Sequence, residues 1–446
     1  MPHKPFQRKA WVVDVDMGYG HSRAAYAMKD LCGCEVISAN NYKGIPAEDR
    51  KLWKQSRELY ETISRFKPIP VIGDLMFEAL DHWQQIADFY PRRDLSHPNV
   101  QVKQLYHYIK KGLGKHLVEK MSEHPVPLLT TFFLPAFVAD YYDYPGEIYC
   151  VTTDADISRA WAPLDPKSSR IKYFAANGRV KERLRLYGVR SENIYLTGFP
   201  LPKELVGGKN AEIVKKLLME RICHLDPQGI FTDRYQKTLK AELGQASCRM
   251  ENNKRPLTLL YSVGGAGAQK RLGVEVIKSL KGAIKQGKIR VILVGGVKKQ
   301  VVQFFEDAVK EAGLRKELGE RVLVPHFDSR KDYFAGFNQL LLETDILWTK
   351  PSELSFYTGL GLPIIIAPPI GSQEEFNQVW LQYMGGGIPQ ANPKYTDEWL
   401  FDWINSGGMA RMAWSGYIEA PTHGTYRIEN IVLGKEQAIH PLPLIV

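Results

Sequence analysis

Four short stretches of this chain carry side chains whose types and spacing suit chemistry. The first is Gly18-Tyr-Gly-His-Ser-Arg, which sets His21 and Ser22 directly behind the glycines Gly18 and Gly20. The second is Thr152-Thr-Asp-Ala-Asp, which places Thr153, Asp154 and Asp156 close together, ahead of Trp161. The third comprises Gly264, Gly265, Ala266 and Gly267 and is nearly bare backbone. Small residues let the main chain approach a ligand, and the N–H groups that open a following helix suit a phosphate. The fourth, Gly371-Ser-Gln-Glu-Glu-Phe-Asn, offers the amides of Gln373 and Asn377 and the carboxylate of Glu374. Such groups on a loop suit recognition of several sugar hydroxyls. Asp156 reads equally as a helix N-cap.

These stretches need elements to position them. Ala10–Val15 is an apolar run that enters the first glycine turn and then a helix, the opening of a βα unit. Glu35–Ser38, Pro127–Phe132, Glu147–Thr152, Lys172–Ala175 and Asn193–Thr197 read as further strands, with helices over Pro135–Tyr142 and Arg179–Tyr187. A second series starts at Leu257–Val263 and continues with Arg290–Val294, Arg321–Val324, Asp345–Thr349 and Leu362–Ala367. Strands alternating with helices predict parallel sheets. The fold class is therefore α/β, with two doubly wound Rossmann-like halves. The expected divisions are 1–202, a charged inserted or linking segment over 203–255, 256–390, and a helical tail over 391–446 that packs back on the N-terminal half.

With 446 residues, 44% of them hydrophobic, the chain can fill more than one core. The formal charge of +10 points to an anionic partner, nucleotide phosphate or acidic lipid, and no nucleic-acid motif accompanies it. Five scattered cysteines form no CxxC pair, so neither a zinc site nor a disulfide framework is expected, which fits a reducing cytoplasm. No apolar run is long enough to span a bilayer, so any membrane contact is expected to be peripheral.

Taken in order, Gly18-Tyr-Gly-His-Ser-Arg-Ala-Ala, Thr153-Asp through Trp161, Thr197-Gly-Phe-Pro, Gly264-Gly-Ala-Gly-Ala, Thr349-Lys-Pro, Gly361-Leu-Pro and Ser372-Gln-Glu-Glu-Phe-Asn resemble one family. It is that of the GT-B glycosyltransferases related to monogalactosyldiacylglycerol synthase, the bacterial processive diacylglycerol glucosyltransferases, and the enzyme that adds N-acetylglucosamine to the lipid-linked peptidoglycan precursor. The resemblance spans roughly residues 8 to 390, apart from the inserted stretch. It implies a nucleotide-sugar donor, most simply a UDP-sugar, and an inverting transfer that needs neither cofactor nor metal. His21 would be the general base, with Asp154 as base or orienter. The Gly264–Gly267 turn would hold the diphosphate, and Phe327 stands at the base-binding position. Lys350, Ser352, Glu353, Gln373, Glu374 and Asn377 complete the donor side. Gly18, Gly20, Ser22, Thr153, Asp156 and Trp161 line the acceptor side. Two departures stand out: Ser158 where the family often has histidine, and Lys350-Pro-Ser-Glu where it has Lys-Pro-Gly-Gly.

Residues 50 to 120 mix aromatics (Trp53, Tyr60, Phe66, Phe77, Trp83, Phe89, Tyr90, Tyr106, Tyr108) with many lysines and arginines around a Lys67-Pro-Ile-Pro break. Aromatic belts and basic side chains favour an anionic membrane surface. A peripheral docking face that receives a lipid or lipid-linked acceptor is expected here. A non-catalytic module of the same fold, binding a lipid-linked sugar or a partner enzyme, is the alternative.

Overall fold

The computed structural model describes residues 8–33, 35–53, 86–244, 255–264 and 267–435. The chain divides into two compact bodies. The first comprises Met1–Pro200, Gly371–Phe376 and His423–Val446; the second comprises Leu201–Ile370 and Asn377–Thr422.

The first body is built on six parallel strands: β1 (Trp11–Asp14), β2 (Ile37–Ser38), β3 (Leu128–Thr130), β4 (Ile148–Val151), β5 (Lys172–Ala175) and β6 (Ile194–Leu196). Their order is β2-β1-β3-β4-β5-β6. Short, fully apolar runs such as Ile148-Tyr-Cys-Val are what strands covered on both faces require. One face packs Trp11, Val13, Leu128, Ile148 and Tyr173 into one core. The other packs Val12, Leu129, Val151 and Phe174 into a second cluster that also takes in Ile428 and Val432. Because β1 turns one way to β2 and the chain then resumes at β3 on the other side, the winding reverses between β1 and β3.

The second body has the same plan. Its strands are β7 (Leu257–Ser262), β8 (Ile289–Val294), β9 (Val322–Leu323), β10 (Ile346–Thr349), β11 (Ile364–Ile366) and β12 (Gly387–Pro389), in the order β12-β11-β10-β7-β8-β9. All neighbours are parallel, and the reversal falls between β7 and β10.

The segment expected as a connection is part of the second body. Helix Glu212–Leu225 buries Leu218, Ile222 and Leu225 in that core, and Ile230–Leu243 adds Phe231 and Leu239. Its fully buried Arg221 donates to the carbonyls of Leu341, Thr344 and Leu360, where two helical segments end. Burial lowers its pKa to about 10. The expected tail also divides. Thr396–Asn405 and Gly408–Glu419 pack in the second body, whereas Gly424–Val432 clusters with the first. There Gly424 lies so close to Phe199 that an added Cβ would stand 2.1 Å from its carbonyl oxygen, and Arg427 donates to Thr197 O at 3.3 Å.

Two further expectations are corrected. Cys223 is disulfide-bonded, which the scattered cysteine spacing did not indicate. Of the aromatics expected on a docking face, Trp53, Phe89 and Tyr106 are buried, and Tyr108 packs against the core. Tyr106 lies on Phe137, and Phe89 lies beneath Arg179 and Arg183. Only Tyr90 among the described ones is well exposed. Tyr60, Phe66, Phe77, Trp83 and the Lys67-Pro-Ile-Pro break lie outside the described residues. Among the described residues no helix is long and apolar enough to cross a membrane.

Candidate active site

In the first body the turn after β1 leads into helix α1 (Gly20–Ala27). Gly18 takes φ +103°, a conformation L side chains rarely adopt, so the turn needs glycine there. The helix places His21 in its first turn, and Gly20 is its first residue. His21 Nδ1 lies 2.8 Å from the carbonyl oxygen of Thr131, directly after β3. The Thr131 hydroxyl in turn donates to His21 O at 2.9 Å. Thr153, after β4, puts its hydroxyl 3.3 Å from the same Nδ1. The imidazole meets Phe132 edge-on with ring centres 4.8 Å apart, and Trp161 stands 6.3 Å away. His21, Thr131 and Thr153 thus come from the carboxyl ends of three adjacent strands, at the reversal point where open α/β sheets bind ligands. A carbonyl only accepts, so Nδ1 carries the proton and the basic lone pair is on Nε2.

The other acceptor-side residues are placed differently. Asp154 follows Thr153 in the same bend and is partly exposed, while Ser22 is buried in α1. Asp156 is neither an N-cap nor solvent-facing. It is fully buried, and its carboxylate accepts from Ile157 N at 2.9 Å, from Arg179 Nε at 2.6 Å, and from Arg183 at 2.9 and 2.8 Å. Both arginines rise from helix α2 (Gly178–Leu186). Burial opposes the Arg183 charge, but its bond to Asp156 outweighs that and raises its pKa. Asp156 holds the loop in place and has no lone pair left for an acceptor.

In the second body Gly264 and Gly267 follow β7, and Lys350, Ser352 and Glu353 follow β10, so they flank the second reversal point. Gly265 and Ala266 lie outside the described residues. A Cβ on Gly264 would stand 2.7 Å from Lys350 Cε, so glycine leaves the room in which the lysine lies across the turn. Ser352 is partly exposed, and Glu353 is buried at the start of a 3₁₀ segment, Glu353–Leu360. Asn377, fully buried on helix α3 (Ser372–Tyr383), donates to Pro351 O at 3.3 Å and ties that helix to the lysine turn. Gln373 and Glu374 are partly exposed in the helix's first turn; the segment Gly371–Phe376 groups with the first body. Phe327, after β9, packs on Tyr333 at 5.4 Å. A Cβ on Gly336 would meet its ring at 2.3 Å.

Sequence reasoning missed Thr131, Arg179, Arg183 and Gly336. A signal existed for Thr131, a polar pair at the end of an apolar strand. None existed for Gly336, whose role depends on a ring nine residues away in the chain.

Two doubly wound bodies, each with candidate residues at its own reversal point, are the architecture of the GT-B glycosyltransferases, and the chain is of that two-domain α/β type. Along its length it is similar to the processive diacylglycerol beta-glucosyltransferase of Bacillus subtilis, 24% identical over 85% of this chain and 83% of that one. The protein of the same name from Bacillus pumilus is 20% identical over 85% and 82%. Residues 236–335 match a family described as Domain of unknown function (DUF6938). Among solved structures, a Staphylococcus aureus MnaA–UDP structure is 11% identical with a TM-score of 0.49, covering 98% of this chain and all of that one. Acinetobacter baumannii MurG is 11% identical with a TM-score of 0.47, covering 96% of this chain and all of that one.

Proposed function

We propose that this protein transfers a sugar from a UDP-sugar to the hydroxyl of a lipid or lipid-linked acceptor at the cytoplasmic face of a membrane. The observation that carries the proposal is the pairing of chemistries at the two reversal points. One holds a histidine whose basic nitrogen is Nε2; the other holds a glycine turn crossed by a lysine. Nε2 of His21 takes the acceptor proton as the acceptor oxygen attacks the anomeric carbon. The bond from that carbon to the diphosphate breaks, and the electron pair leaves with the nucleotide. Attack from the side opposite the leaving group inverts the anomeric centre. Lys350, lying across the turn at Gly264, answers the charge that develops on the phosphates. This assigns the positive potential to protein groups and requires no metal or cofactor. Phe327 lies beside the nucleobase, and Gln373 and Glu374 meet the sugar hydroxyls.

The lipid acceptor is supported by the curated relatives, whose names specify diacylglycerol. A membrane surface is supported by the basic stretch from Lys103 to Lys120, where Lys103, His107, Lys110, Lys111, Lys115 and Lys120 are all exposed. Lys103, His107 and Lys110 line a depression of about 260 Å³ with Tyr106 and Leu164. Each basic side chain near an anionic surface contributes about 1 kcal/mol.

The test is nucleotide release from a panel of UDP- and GDP-sugars with diacylglycerol in anionic vesicles. UDP release that depends on the vesicles is expected. His21→Ala should lower turnover by about 10²-fold or more with little change in donor affinity. Co-sedimentation with the vesicles should weaken as salt rises. Transfer only to small soluble acceptors, with no vesicle binding, would overturn the lipid assignment.

A further inference from the structure

His21 is held at more points than its place in a helix requires. Helix α1 already fixes its backbone, and Phe132 and Trp161 already wall its ring. Yet Thr131 grips it twice, through its carbonyl to Nδ1 and through its hydroxyl to His21 O. The two bonds run in opposite directions between the same two residues. They therefore fix both the separation of β3 from α1 and the tilt of the ring. Thr131 is fully buried, so water does not compete for either bond. The Thr153 hydroxyl, also buried, reaches Nδ1 from the other flank at 3.3 Å. With the Nδ1 proton directed at the Thr131 carbonyl, Thr153 is a second, longer acceptor of that proton.

We infer that Thr131 and Thr153 are the positioning residues of His21: the reciprocal Thr131 clasp, braced by the Thr153 hydroxyl, selects the Nδ1–H tautomer and so makes Nε2 the basic nitrogen. Neither threonine touches the reacting atoms. The Thr131 carbonyl meets the ring at Nδ1, and its hydroxyl holds the main chain of His21. A carbonyl orients the ring without adding a negative charge beside an incoming diphosphate. The tautomer assignment stands on geometry alone, whereas its catalytic consequence rests on the function proposed above.

The test has a spectroscopic arm and a kinetic arm. In protein labelled with ¹⁵N-histidine, the His21 resonances are assigned by their loss in His21→Gln. At a pH where the ring is neutral, Nδ1 should be protonated and Nε2 should carry the lone pair. Thr131→Val keeps shape and removes the hydroxyl half of the clasp. The backbone carbonyl remains, so Nδ1–H should persist, but the ring is less firmly placed and kcat should fall about tenfold, the effect of one lost hydrogen bond, with donor KM within about twofold. Thr131→Ser should restore kcat. Thr153→Val, which loses only the longer contact, should lower kcat about threefold. A wild-type His21 found as Nε2–H would overturn the inference. So would a folded Thr131→Val protein with unchanged kcat. If Thr131→Val does not fold, the wild-type spectrum and Thr153→Val still decide. If no donor is turned over, the glycosyltransferase proposal fails while the tautomer measurement stands.

Discussion

Asp156 offers a sharp test of what its loop is for. Replacing it with alanine removes every acceptor from around Arg183, whose side chain is fully buried, and one ion-pair partner from Arg179, which is partly exposed. Breaking one side of a buried ion pair costs about 3–5 kcal/mol, because the remaining charge stays desolvated. For a body of this size each kcal/mol moves Tm by about 2–4 °C, so the first body should melt about 6–20 °C lower. Arg179 adds little, since a partly exposed partner recovers water. Differential scanning calorimetry on the whole chain would resolve the change as a shift in one transition. Pairing the change with Arg183→Met should recover most of the loss, since the orphaned charge is then gone. The refuting result is a normal Tm with a raised acceptor KM. Asp156 would then be a substrate contact, and the burial described above would not govern its role.

Three more expectations follow from close contacts and from one shifted pKa. Gly264→Ala should spare Tm, because Lys350 Cε is the far end of a flexible chain, yet raise donor KM about tenfold or more as the ammonium is displaced; steady-state kinetics with a UDP-sugar would check it. Gly336→Ala drives a methyl into the Phe327 ring and should lower stability by about 1–3 kcal/mol while weakening UDP binding by calorimetry; unchanged UDP affinity would remove Phe327 from the nucleotide site. Asp345, before β10, is fully buried, and burial alone would raise its pKa, but bonds from His224 and Arg255 outweigh that and hold it below the usual range. Its stabilisation should be fully present above the unfolded value of about 3.9 and fade as pH falls through the lower folded value. Asp345→Asn should flatten that acid limb in denaturant titrations.

Much of the fold was legible because the strands are short apolar runs ended by glycine or proline turns, and covered parallel strands have that form. Trp11–Asp14, Ile148–Val151 and Leu257–Ser262 all lie inside the stretches marked by hydrophobicity. Candidate residues at strand ends were equally readable, since the carboxyl ends of such strands converge whatever the intervening sequence. What resisted was anything set by packing at long range. The charges on helix Glu212–Leu225 resemble a linker until Arg221 is seen to cap three carbonyls from distant segments. Asp156 looks like a ligand until two arginines from the next helix close on it. The aromatics between residues 86 and 110 look like a membrane belt until Phe89 and Tyr106 are found inside. Periodicity separates buried from exposed only on a regular element, and Phe89 stands on none.

The return of Gly424–Val432 to the first body bears on how the chain is made. Synthesis delivers the N-terminal sheet first, but one of its two faces is closed by Ile428 and Val432, which emerge only after every segment of the second body. The second body, by contrast, has its segments from Leu201 to Thr422 available before then. On the ribosome the N-terminal half therefore waits with Val12, Leu129 and Phe174 incompletely covered, while the later half can complete its own core. A nascent chain in that state presents apolar surface to chaperones and to its own copies. Stopping translation just after Thr422 should yield a protein whose second body is sound and whose first body is the one that proteases open.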